Sequence, residues 1–181
     1  MVTILLADGF EESEALVPAD LLRRAGVEVR LAGLSGVNVT GGHGITVTAD
    51  TTMAQISPDE LEMLVLPGGL GGVNAILGSQ PALALVQSAW DRGCYLAAIC
   101  AAPTILAHLG ISDRRSAVCY PGMEEEMGSA VVQVGTPVVV DGRMVTAEAA
   151  GSAFPFGLKL VELLRGAETA DKVRHEVHYH F

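Results

Sequence analysis

Residues 95–103 read YLAAICAAP. Five residues of buried-strand character stop at Cys100, and the chain then continues as a helix. A strand that turns straight into a helix is the repeating joint of a parallel α/β sheet, so this stretch decides the fold. Ala98 and Ala102 stand two residues either side of the cysteine. A nucleophile on a sharp strand-to-helix turn needs small residues at those places, because the backbone folds tightly there.

Working outward, strand-like and helix-like segments alternate. VTILLA (2–7), VEVRLAGL (27–34) and residues 61–66 are short and apolar, the pattern of strands covered on both faces. Residues 13–25 carry Leu16, Ala19, Leu22 and Ala25 near one helical face. They close with Arg23 and Arg24 at the negative pole and then Gly26. Pro18 lies inside that segment, which points to an irregular first turn or a start later than Ser13. VNVT and ITVT flank Gly41-Gly42-His43-Gly44 as a hairpin. Ser79 can cap a helix running to Arg92, with Gly93 as its stop. VVVDGRMVT (138–146) is a hairpin turning at Asp141-Gly142. Residues 151–164 form a last long helix. This order predicts one α/β domain over residues 1–181, a doubly wound, mostly parallel sheet with helices on both faces. Residues 166–181 are its C-terminal tail, with no conformation assigned.

The composition suits that fold. A chain of 181 residues is one domain's worth, and half of it is hydrophobic with few aromatics. The formal net charge of -10 leaves no basic stripe for phosphates, which excludes a general nucleic-acid binder and an anionic membrane surface. No segment reaches the roughly 20 apolar residues of a membrane span. The start, MVTILLADGFEE, lacks a basic n-region and reads as a strand rather than a signal peptide. Cys94, Cys100 and Cys119 are odd in number and show no CxxC spacing. That argues against a disulfide framework or a zinc site and for the reducing cytoplasm.

In open α/β sheets, sites lie beyond the carboxyl ends of the strands. Three such ends carry chemistry here. At the first, the helix N-terminus after Cys100 favours thiolate over thiol, and the Ala101 N–H is a candidate oxyanion donor. Free cysteines are mostly inert packing, the role assigned to Cys94 and Cys119, but the small-Cys-small pattern favours function for Cys100. At the second, LPGGLGG (66–72) offers the N–H groups of Gly68 and Gly69 as further oxyanion donors, or is merely a tight turn. A phosphate cradle is a poor match: no G-K-[ST] follows, and G-x-G-x-x-G breaks at Asn74. At the third, ADGFEESE (7–14) holds three glutamates. Glu11 and Glu12 read as solvated partners of the helix dipole. A carboxyl turned inward beside a thiolate would have a raised pKa and could pass a proton; the residues themselves leave open which glutamate does so.

Elsewhere, Tyr120 either lines the site or packs in the core, and Pro121 beside it is a further candidate for lining the site. His43 is an exposed hairpin tip, and Glu124-Glu125-Glu126 a solvated helix start or loop. His175, His178 and His180 share neither a helix face nor a strand face throughout, so they read as ordering the chain end or making a dimer contact, and no metal site is expected.

Five motifs together closely resemble the DJ-one/ThiJ/PfpI superfamily, in the branch related to the Parkinson-disease protein. They are EESEALVPADLLRRAG (11–26), VLPGG (65–69), AAICAAP (97–103), CYPGMEEEM (119–127) and GSAFPFGLKLVELL (151–164). Their order and spacing match across nearly the whole chain. The resemblance implies a flavodoxin-like sandwich and a homodimer. It places the family's reactive, readily oxidised cysteine at Cys100, its acidic partner at Glu14, and its glycine turn at Gly68 and Gly69. Three departures stand out. Ala101 replaces the histidine of the protease-like members. Tyr120 replaces a histidine before Pro121. AEAAG (147–151) replaces an SRGPG loop, which puts Glu148 where an arginine is usual.

The first two departures remove the imidazole base, and His108 sits about 9 Å of helix rise past Ala102. A Cys-His peptidase therefore loses ground. The activities that the resemblance implies make the expected function a cofactor-free, cysteine-dependent glyoxalase or deglycase-like enzyme acting on a small aldehyde of the methylglyoxal type. Cys100 would attack, Glu14 would move the proton, and Gly69 and Ala101 would hold the oxyanion. The alternative is a non-enzymatic stress sensor or chaperone switched by oxidation of Cys100. A flavodoxin-type nucleotide binder is a third reading.

Overall fold

A computed structural model describes residues 1–180. Eleven strands occur in chain order: β1 Val2–Leu6, β2 Val29–Gly33, β3 Asn38–Thr40, β4 Thr46–Thr48, β5 Thr51–Thr52, β6 Met63–Leu66, β7 Tyr95–Ile99, β8 Ser116–Ala117, β9 Val131–Val132, β10 Val138–Asp141 and β11 Met144–Ala147. Six helices join them: α1 Glu12–Arg24, α2 Leu70–Leu77, α3 Gln80–Asp91, α4 Pro103–His108, α5 Ala153–Arg165 and α6 Ala167–Glu176.

Seven strands form one sheet in the order β10-β11-β7-β6-β1-β2-β5. Every pairing in it is parallel except the β10–β11 hairpin. Alternate residues feed two cores, as the period of a strand requires. Leu64, Leu66, Leu96 and Ala98 meet α2, α3 and α4 on one face. Met63, Val65, Ala97 and Ile99 meet α1, α5 and α6 on the other. This is the expected flavodoxin-like architecture.

Strand order reverses at β1: the chain goes outward to β2 and returns to β6 on the other side. Crevices open at such switch points. The carboxyl ends of β1, β6 and β7 lie side by side there, and they are the three ends singled out in the sequence.

Three local expectations change. α1 begins at Glu12 and runs unbroken through Pro18, rather than starting late. Pro18 is buried against Gly157 of α5, so tertiary packing outweighs the lost hydrogen bond. The glycine turn continues directly into α2. Gly71 and Gly72 are poor helix formers, but their lack of side chains lets α2 sit against the backbone of Gly9 and Phe10. Finally, most of the tail is α6, which buries Ala170 and Val173 in the core beneath α5. Of that tail, Phe181 lies outside the described residues.

Near the amino end of β7, two guanidinium groups stack over the ring of Trp90. Arg115 and Arg143 lie 5.2 and 4.9 Å from its ring centroid.

Candidate active site

The site begins with the backbone of Cys100. Its φ is +67°, a left-handed conformation that costs an ordinary residue about 1–2 kcal/mol. The surroundings impose it. The Cys100 N–H donates to the Ala147 carbonyl at 2.9 Å, and the Cys100 carbonyl accepts from Tyr120 N–H at 2.8 Å. Ala98 and Ala102 are fully buried, which explains why both are small. The sharp elbow read from YLAAICAAP is therefore present, with its strain in the nucleophile candidate itself.

Glu14 lies behind the cysteine, with no exposure to solvent. Its Oε2 accepts the Gly68 N–H at 2.8 Å. Its Oε1 has no conventional hydrogen-bond partner, and the Cys100 side chain is the polar group that couples to the carboxyl. Burial raises the Glu14 pKa to about 7, with a smaller push from the charge of Glu11, against the hydrogen bonds from Gly68 and Cys100. Of the three glutamates, Glu14 is the one that α1 places behind Cys100.

Cys100 departs from its expected electrostatics. Burial, then the Glu14 carboxylate, push its thiol up to about 12, although the N–H groups of Ala101 and Gly69 act in the opposite direction. The short helix α4 does not make this a free thiolate. Carboxyl and thiol instead compete for one negative charge.

Gly68 also departs from its assigned role. Its N–H is taken by Glu14, so it positions the carboxyl rather than an oxyanion. A Cβ there would lie 2.5 Å from Glu14 Oε2 and 2.6 Å from Cys100 Cβ, so only glycine lets these two groups approach. The Gly68 carbonyl in turn accepts from Glu11 N–H at 3.0 Å, clamping this turn onto the start of α1.

A cavity of about 490 Å³ opens over the sulfur. Gly69, Cys100, Ala101, Tyr120 and Pro121 line it, as the sequence led one to expect. Tyr120 is 48% exposed and is not a core residue. His108 lies on a different cavity. Glu14 and Gly68 sit behind the wall. Glu11, Leu70, Gly122, Met123 and Glu126 also line the cavity, and no local sequence pattern marks them for it.

The other glutamates need correction too. Glu12 is buried, not solvated. Its Oε1 accepts the N–H groups of His43 and Ile45 at 2.8 and 3.3 Å, and Oε2 lies 3.0 Å from His43 Nδ1. Burial would raise its pKa, but these hydrogen bonds and its own N–H outweigh that and hold it at about 2. His43 is exposed at the hairpin tip as expected, yet it is paired. Ligand atoms of Glu11, Glu12 and His43 lie within 4.8 Å of one another, the single such grouping among the described residues. A contact between residues 12 and 43 leaves no local pattern. It arises because Gly9 and Gly42 donate to Thr40 and Phe10 carbonyls and dock the β3–β4 hairpin on the end of β1.

Cys94 donates to the Leu61 carbonyl at 3.0 Å, and both Cys94 and Cys119 are buried, consistent with packing roles. No helix among the described residues is long and apolar enough to cross a membrane.

Comparison with known proteins agrees with this architecture. The model of the DJ-1/PfpI family matches residues 1–163. Protein dj-1beta of Drosophila melanogaster is 40% identical over 172 residues, covering 94% of this chain and 92% of the relative. A protein of Pyrococcus abyssi named a deglycase is 35% identical over 165 residues, covering 91% and 99%. The crystal structure of Drosophila melanogaster DJ-1beta superposes with a TM-score of 0.95 at 37% identity, covering 99% of this chain and 98% of that one. With its elbow cysteine, inward glutamate and glycine clamp, the chain belongs to the DJ-1/PfpI family.

Proposed function

We propose that the protein is a cofactor-independent glyoxalase or deglycase-like enzyme that converts α-oxoaldehydes such as methylglyoxal, or their adducts. The observation that carries this reading is the Cys100 sulfur facing a cavity, with Glu14 directly behind it and the Gly69 and Ala101 N–H groups at the sulfur. Moving the one proton from sulfur to Glu14 gives a thiolate beside a neutral acid, without changing the net charge of the pair. The thiolate attacks the aldehyde carbon, a C–S bond forms, and the carbonyl electron pair moves to oxygen. Gly69 and Ala101 stabilise that charge, and Glu14 returns the proton to give a hemithioacetal.

The proton on the hemithioacetal carbon then passes to the neighbouring carbon through an enediol. A thioester results, and water cleaves it to a 2-hydroxy acid and the free thiol. Glu14 serves each proton transfer, with a pKa of about 7 suited to neutral pH. The deglycase name of the Pyrococcus relative supports chemistry of this class. Purified protein incubated with methylglyoxal, without glutathione, should form lactate, and Cys100→Ala should not. Equal rates would end this reading.

A second reading is oxidation of the same thiol as a signal. It is favoured by the partial exposure of Cys100 while Cys94 and Cys119 are buried. The homodimer implied by the sequence stands as part of the proposal, and sedimentation at micromolar concentration tests it.

A further inference from the structure

The cavity over Cys100 has two charged lining residues, Glu11 and Glu126, and both are carboxylates. They enter from different elements. Glu11 is the residue before α1, and Glu126 belongs to the short turn of residues 124–127 that follows the Tyr120 loop. More negative charge surrounds them. The Glu124 carboxylate accepts the N–H of Gly122, another residue of the cavity lining, at 3.0 Å. Glu14 stands behind the sulfur. Glu148 follows Ala147, whose carbonyl holds the Cys100 N–H.

No lysine, arginine or histidine lines this cavity. His43 Nδ1 lies 3.4 Å from Glu11 Oε2, but Glu12 holds the same nitrogen at 3.0 Å. One imidazolium cannot offset this many carboxylates.

We propose that Glu11 and Glu126 make the mouth of this cavity a charge filter. It admits cationic and neutral electrophiles to Cys100 and repels anionic ones. The substrate class is then uncharged oxoaldehydes and carbonyl compounds bearing an ammonium or guanidinium group, with carboxylated and phosphorylated ones disfavoured. That statement about substrates rests on the function proposed above; the charge preference is read at the sulfur itself.

The test uses two methanethiosulfonates of similar size, one ending in trimethylammonium and one in sulfonate. Each reacts when the Cys100 sulfur attacks the reagent's thiol-level sulfur. A disulfide forms, the S–S bond of the reagent breaks, and methanesulfinate leaves with its electron pair. Rates at Cys100 are followed by mass spectrometry and divided by those of free cysteine. The cationic reagent should be favoured on the order of tenfold at low salt, and the ratio should shrink as salt screens the mouth. Glu126→Gln and Glu11→Gln should each lower the ratio severalfold, and Glu126→Lys should lower it further. Glu168→Gln, at an exposed position of α6, should leave it unchanged.

A ratio near one in the wild-type protein, or one indifferent to Glu11 and Glu126, overturns the proposal. So does a fall of equal size in Glu168→Gln, because the filter would then be the net charge of the whole chain. Absent methylglyoxal turnover with the ratio intact would count against the proposed function alone. Turnover with a ratio of one would count against the filter alone.

Discussion

The Gly68 N–H donates to Glu14 Oε2 at 2.8 Å across 54 residues of sequence. This bond fixes the carboxyl behind the cysteine, and the missing side chain of Gly68 leaves room for the pair. Gly68→Ala would push a methyl group into both residues. It should cost about 1–3 kcal/mol in denaturant unfolding and abolish Cys100-dependent turnover. A variant with wild-type stability and turnover would show that the approach of Glu14 and Cys100 is not tight.

Glu14 makes stability depend on pH. A carboxyl with a pKa of about 7 in the folded state and 4.5 in the unfolded state binds its proton more tightly when folded. Stability from this group therefore declines as pH rises from about 4.5 through 7. Glu14→Gln keeps an acceptor for Gly68 and removes the titration. Its stability relative to wild type should improve between pH 5 and pH 8, by on the order of 1–3 kcal/mol. A constant difference over that range would refute the raised pKa.

Glu12 titrates in the opposite sense. Its carboxyl is held at about 2, so its contribution is complete above the unfolded value of 4.5 and is lost as pH falls toward 2. Glu12→Gln should destabilise by about 1–2 kcal/mol at pH 7, with the difference narrowing below pH 4. Thermal melts across that range measure it.

The left-handed backbone at Cys100 reverses a familiar order. Glycine in place of alanine inside regular structure costs about 0.5–1 kcal/mol. At φ +67° alanine carries the strain and glycine does not, so Cys100→Gly should be at least as stable as Cys100→Ala. A clear stability advantage for alanine would mean that the elbow relaxes once the thiol is gone.

The three cysteines should separate under mild peroxide. Cys100 alone opens onto a cavity, whereas Cys94 and Cys119 are buried. Peptide mass spectrometry should find two added oxygens at Cys100 well before either of the others changes. Parallel oxidation at all three would remove the distinction.

Much of this fold was legible because it rests on local patterns. Apolar runs of four or five residues marked β1, β6 and β7, and Ala98 and Ala102 announced the elbow. The chemistry of Cys100 was harder to read. A helix N-terminus beside a thiol suggested a thiolate, but burial and the Glu14 charge are long-range terms that no spacing encodes. The pairing of Glu12 with His43 and the arrival of Glu126 at the cavity depend on loop docking in the same way. α6 had a faint signal, Ala170, Val173 and Val177 at helical spacing, which the polar residues around them concealed.

Trp90, in contact with two arginines, is the chain's only tryptophan. It sits at the opposite end of β7 from Cys100, across five residues or about 16 Å of strand. Its emission thus offers an internal gauge of global integrity that is remote from events at the sulfur. A variant or reagent that silences Cys100 while leaving that emission untouched has altered chemistry; one that changes both has altered the scaffold.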